Sequence, residues 1–130
     1  MRTKAREVVF EVVFASRFAD GIDNGLKNAL YKKEKLTESD IAYADRLLSV
    51  IGENERDFGA LIDGISHSFP ESRLFPADIS LLLVALAEIK YFNDIPAAVS
   101  INEAANLASK YSSPKSATFI SGILAEAAKG

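Results

Sequence analysis

No cysteine occurs among the 130 residues, and that one absence removes disulfides, thiolate metal sites and a cysteine nucleophile together. Histidine is almost as scarce. His67 is the only one, so imidazole ligation and acid–base chemistry have a single group to draw on. It stands in Ser66-His67-Ser68, but residues adjacent in sequence do not form triad geometry, and no G-x-S-x-G elbow occurs, so His67 reads as a plain loop histidine. The seven glycines are scattered and compose no phosphate-cradling motif. Long apolar runs are missing too. The most apolar window, ISLLLVALAEI (Ile79 to Ile89), falls far short of the ~20 residues of a membrane-crossing helix, and Asp78, Glu88 and Lys90 punctuate its edges. It is expected to be a core helix. At the N-terminus Glu7 and Glu11 interrupt the apolar stretch and no small-residue cleavage site follows, so no export signal is read and a cytoplasmic protein is expected.

What is present points to one domain. An apolar content of 48% in 130 residues suffices for a hydrophobic core without staples, over residues 1–130. The formal charge is −3, which argues against a surface coated in lysine for general nucleic-acid binding. The charge is uneven, however. Residues 1–17 carry Arg2, Lys4, Arg6 and Arg17 against Glu7 and Glu11, a net +2 that leaves −5 for the remainder. A polyanion would have to meet a local patch, and this is the first candidate.

The punctuation is helical throughout. VVFEVVF (Val8 to Phe14) has the β-branched content of a strand. Its neighbours decide for helix, because Lys4, Glu7 and Glu11 fall on one polar stripe while Val9, Phe10, Val13 and Phe14 form an apolar face. DGIDNG (20–25) is loop, followed by a short helix over 26–31 and a solvated connection KKEK (32–35). Thr37 and Ser39 offer N-cap hydroxyls, with Glu38 and Asp40 in the first turn of a helix whose apolar residues run Ile41, Ala44, Leu47, Leu48, Ile51. Gly52 is a candidate bend before Phe58, Leu61, Ile62 and Ile65 continue the pattern. Residues 64–76 suggest a turn and a brief helix. Pro76, Pro96 and Pro114 each suit the first turn of a helix, over 77–92, 97–111 and 115–128, with Ser113 capping the last. The fold class is all-α, a bundle of six or seven helices. Glu53, Glu55 and Asp57 point to successive faces and read as solvated surface, not a cation site.

Two stretches carry a resemblance. IPAAVSINEAANLASKYSSPKSATFISGIL (95–124) resembles the NusB family of transcription antitermination factors, whose pattern is V-P, then A-x-I-N-E-A-[IV]-E-L-A-K, a loop and F-V-N-G-[VI]-L. Ile95, Pro96, Ile101, Asn102, Glu103, Ala104, Leu107, Ala108, Phe119, Gly122, Ile123 and Leu124 stand in those places. The family's opening A-R-E-x-A-[LV]-Q-x-L-[YF] is met by Ala5, Arg6, Glu7, Phe10, Val13 and Phe14. Tyr43, Leu47 and Leu48 match a weaker central helix, and Leu86 to Ile89 match L-Y-E-L. The likeness therefore runs the length of the chain in order.

The resemblance implies a compact all-helical fold of two helical subdomains without enzymatic activity or cofactor. It implies binding of boxA-like single-stranded RNA in ribosomal RNA leaders together with NusE, a small-subunit ribosomal protein, and work in the RNA polymerase antitermination complex. Arg2, Lys4 and Arg6 are then candidate phosphate contacts at a basic arm. Phe14 is a candidate stacking residue, since the family often has tyrosine there. Lys110 and Lys115, flanking the amides that open the last helix, form a second candidate phosphate site. Asp78 stands where the family uses acidic residues for its protein partner, and also suits the dipole of its own helix. Asn102 and Glu103 read as structural.

Four positions depart from the family pattern. Glu11 replaces a glutamine, Leu83 an arginine, Ala87 a tyrosine and Ser121 an asparagine, and most of these remove groups that favour RNA. The alternative reading is therefore a protein-interaction module of the same fold with little RNA affinity. A second alternative is an accessory domain of an RNA-modifying enzyme, since related helical domains precede rRNA cytosine methyltransferase domains. Whether a second copy forms a homodimer through the partner surface is left open.

Overall fold

The computed structural model describes residues 2–66 and 74–130, and among them there are six helices and no strand. In chain order these are α1 (Arg2–Ser16), α2 (Asn24–Lys33), α3 (Glu38–Ile65), α4 (Pro76–Tyr91), α5 (Ala97–Tyr111) and α6 (Pro114–Lys129). The brief helix expected within 64–76 falls largely outside the described residues, as does His67. VVFEVVF is helical, as its polar spacing requires.

The helix starts follow their local chemistry. Asp23 caps α2 by accepting from the Leu26 amide at 3.0 Å. Thr37, not Ser39, caps α3, accepting from the Asp40 amide at 3.1 Å while the Asp40 carboxylate receives the Thr37 N–H, a reciprocal capping box. Ser113 accepts from the Ser116 amide at 3.0 Å and Pro114 is the first helical residue of α6, as expected. Pro76 likewise opens α4. Pro96 differs: it sits at the cap position with extended backbone, one place before α5 begins. Two further boundaries move. Lys32 and Lys33 belong to the last turn of α2, and the chain turns at Lys35, whose φ of 53° is left-handed. Gly52 makes no break, because α3 continues through it for 28 residues.

Helix α4 organises the rest. It is buried from Asp78 to Glu88 on every side, the signature of a helix enclosed by others. It packs against α1 and α3 on one side and α5 and α6 on the other. The six helices thus pack about α4 and share one continuous apolar core. Two polar clamps secure the end of α4. Arg46 of α3 donates to the Tyr91 carbonyl at 2.8 Å with its guanidinium over the Phe92 ring, and Lys90 donates to the Ala127 carbonyl near the end of α6 at 2.9 Å. Leu83 and Ala87, two of the four departures from the family pattern, lie fully inside this core.

Candidate nucleic-acid interface

At 100° per residue, Arg2 and Arg6 share one side of α1, while Lys4, Glu7 and Glu11 share another. The three cations of the N-terminal arm therefore do not form one patch.

Arg6 turns inward and is buried. Its Nε donates to both oxygens of Glu88 at 2.8 Å and its Nη1 to Glu103 at 2.7 Å, which also accepts from Thr3 at 2.6 Å. Tyr43 completes the cluster by donating its hydroxyl to Glu88. Burial works against the Arg6 charge, but the hydrogen bond to Glu88 and the surrounding anions outweigh it and strengthen its protonation. The same confinement pushes the Tyr43 hydroxyl well above its ordinary range, through burial first and then the Glu88 charge. The expectation that Arg6 meets a phosphate is corrected here: its guanidinium already serves two carboxylates away from solvent. Glu103 is structural as expected, through Arg6. Arg2 sits at the outer edge of this cluster, half-exposed, 3.6 Å from Asp94 and stacked over the Tyr43 ring.

The other side of α1 faces the end of α5. Glu7 accepts from Lys110 and Tyr111 at 2.5 Å each and from Lys4 at 3.3 Å. Burial alone would raise its pKa; the donors from Lys110, Tyr111 and Lys4 overcome that and hold the Glu7 carboxyl down to about 2. Lys4 also lies 3.6 Å from Glu34 at the end of α2. Tyr111 packs on Phe10, Phe10 on Phe14, and Phe14 edge-on to Phe18, with ring centroids 4.9, 5.9 and 5.2 Å apart. Phe18 is largely exposed. The structure thus brings together Lys4, Lys110 and Phe14 from the expected set. It adds Tyr111 and Phe18, which the sequence reading did not select; the only hint was an aromatic residue closing α5 beside Lys110. Between these aromatics and α2 lies a groove of about 320 Å³ into which Glu11 projects.

The start of α6 is less open than its sequence suggests. The Ser116 amide is occupied by Ser113, and the Ser116 hydroxyl donates to Asp78 Oδ2 at 3.0 Å. Ser112 and Ser113 hydroxyls converge on the same Ser116 oxygen at 2.9 and 3.2 Å. Asp78 is buried, and its Oδ1 has no hydrogen-bond partner among the described residues. The Ser116 and Ala117 amides are both taken by Ser113, and a buried carboxylate lies against the same turn, an arrangement that disfavours the phosphate site expected there. By the same geometry Asp78 lies beneath the surface, where a protein partner could not touch it directly. Lys115 remains exposed and makes no ion pair with a described residue. No group of acidic or histidine side chains that could hold a metal ion occurs among the described residues.

A family model describing the NusB family matches residues 3–129. The chain belongs to the NusB family. A transcription antitermination protein NusB from Clostridium botulinum (strain Kyoto / Type A2) is 43% identical over 94 residues, 72% of this chain and 66% of that relative's length. One from Agathobacter rectalis is 36% identical over 127 residues, covering 96% of this chain and 97% of the relative. Among solved structures, T. maritima NusB superposes with a TM-score of 0.91 at 28% identity, over 99% of this chain and 91% of that one. A structure of antitermination factors NusB and NusE in complex with dsRNA has the same fold, with a TM-score of 0.87 at 18% identity, over 98% of this chain and 96% of that one. The all-helical NusB architecture is therefore that of this chain. No helix among the described residues is long and apolar enough to cross a membrane.

Proposed function

We infer that this chain is a transcription antitermination factor. It binds boxA-like single-stranded RNA in ribosomal RNA leaders together with NusE, and the pair suppresses premature termination by RNA polymerase. It acts in the cytoplasm as a binding protein, without catalysis or a cofactor. Family membership across residues 3–129 supports the role. The observation that carries the RNA reading is the convergence of Lys4 and Lys110 on Glu7 beside the Phe10–Phe14–Tyr111 aromatics.

That arrangement has suitable chemistry for single strands. Each lysine ammonium has three donors, so one can hold Glu7 while the others meet phosphate. Aromatic faces beside them can stack unpaired bases without regard to sequence. Lys115 adds an exposed cation at the start of α6, while Arg2 lies on the other side of α1, beside the Arg6 cluster. Arg6 and Asp78 act indirectly, fixing α1 and α6 in place.

A second reading, the protein-interaction module with little RNA affinity, is favoured by one observation: Glu7 already neutralises part of the lysine charge, and Glu11 adds a further carboxylate. Titration against boxA-like RNA and a scrambled control, with and without NusE and at several salt concentrations, separates the two. Preference for the boxA-like strand and a salt-dependent affinity are expected. Equal binding of both strands in the presence of NusE would sink the antitermination reading.

A further inference from the structure

The groove beside the lysines has an unusual polar element. Its walls are Phe10 and Phe14 of α1, Leu26 and Leu30 of α2, and Tyr111 at the end of α5, and the carboxylate of Glu11 is set among them. Glu7, one turn earlier, takes Lys4, Lys110 and the short bond from Tyr111. Glu11 is left with one long hydrogen bond, 3.4 Å from the same Tyr111 hydroxyl, and no salt bridge with a described residue. Burial, and then the Glu7 charge, push its pKa above the usual carboxylate range. A half-buried carboxylate in apolar walls is short of donors.

We propose that this groove receives an unpaired RNA base and that Glu11 reads the base's Watson–Crick edge, favouring guanine. The proposal rests on the RNA-binding reading above. The aromatic walls can stack any base, so selectivity falls to the carboxylate. Guanine offers N1–H and N2–H₂ side by side, two parallel donors for two carboxylate oxygens. Uracil offers one N–H between two carbonyl oxygens, which the carboxylate repels. Cytosine and adenine each pair an amino donor with an adjacent acceptor and lie between. A purely apolar side chain from a protein partner would bury Glu11 without supplying any donor, which argues against that occupant. The cation needed for a flanking phosphate is at hand, because Lys110 Nζ lies 5.2 Å from the centre of the Tyr111 ring that walls the groove.

The test uses fluorescence anisotropy on the full chain with three probes: a short oligouridine, the same strand with interspersed guanosines, and the same strand with inosines, which keep N1–H but lack the N2 amino group. The native protein is expected to prefer the guanosine strand over oligouridine by about tenfold, with inosine between, the lower end of what a bidentate base contact supplies. Glu11→Ala should abolish that preference and raise affinity for oligouridine, since a carboxylate leaves the path of the phosphates. Glu11→Gln, which keeps one acceptor in the same shape, should give an intermediate preference and guards against a packing artefact. Equal, salt-dependent binding of all three probes by the native protein would overturn the base-reading proposal while leaving RNA binding intact. Absence of salt-dependent binding to these strands and to boxA-like RNA would bring down both. If Glu11→Ala instead weakens NusE binding and leaves base preference unchanged, the groove belongs to a protein and the proposal fails.

Discussion

On one side of α1, Arg6 meets Glu88 and Glu103; on the other, Glu7, itself buried, meets Lys4, Lys110 and Tyr111. Both clusters tie α1 to α5, and both combine cations, carboxylates and a tyrosine. The exposure of their cations separates them. The inner cluster includes a carboxylate, Glu88, with no exposure, so its charges can only satisfy each other. In the outer cluster the Lys110 side chain keeps 59% of its exposure, leaving donors free for something else. The same residue types thus serve to hold helices together in one place and to present charge in the other, and the difference lies in what surrounds them.

The largest effect should come from emptying the inner cluster. Arg6→Met leaves Glu88 buried without its cation and is expected to cost about 3–5 kcal/mol in urea unfolding. The double variant Arg6→Met/Glu88→Met should recover much of that loss, because the uncompensated charge goes with it. If Arg6→Met is neutral, Arg6 is not the internal partner described.

The outer cluster should respond to pH. Glu7 titrates at about 2 when folded against an ordinary value of 4.5. Its folded pKa is lowered, so its contribution is fully present above the unfolded value and is lost as pH falls from about 4.5 toward 2. The two values correspond to about 3 kcal/mol of stability at neutral pH. Unfolding midpoints across that window should drop less steeply for Glu7→Gln than for the native chain, and parallel curves would contradict the assignment.

Smaller changes are expected in RNA binding. Lys110→Ala should weaken affinity for boxA-like RNA several-fold and reduce the slope of log affinity against log salt by about 0.7, the loss of one phosphate contact on a single strand. Lys115→Ala, at a lysine without the contact to Tyr111 that Lys110 makes, should have the same sign and a smaller size. A larger effect at Lys115 than at Lys110 would move the centre of the interface to α6.

Much of the helical framework is legible in the sequence because its signals are local. Thr37, Pro76 and Ser113-Pro114 announce helix starts within four residues, and the spacing of Lys4, Glu7 and Glu11 overrides the strand-like valines. The interface was harder to read because its partners are distant in sequence. Nothing near Arg6 reveals Glu88, 82 residues away, and so three clustered cations look like one patch. The available clue was Glu88 itself, a charge inside LLLVALAEI that needs a partner if the helix is buried. Gly52 misleads for the opposite reason: an exposed mid-helix glycine weakens a helix without having to bend it.

Asp78 joins the first turn of α4 to the first turn of α6 through Ser116, with Ser112 and Ser113 drawn into the same chain of hydroxyls. The turn carrying Lys110, Tyr111 and Lys115 is thereby fixed from within the molecule before any ligand arrives. A strand that docks there meets side chains on a backbone already in position, and little conformational freedom remains to be surrendered on association. Loosening this strut with Asp78→Ala would leave the lysines in place yet less able to hold what they touch, appearing as a faster dissociation rate rather than a missing contact.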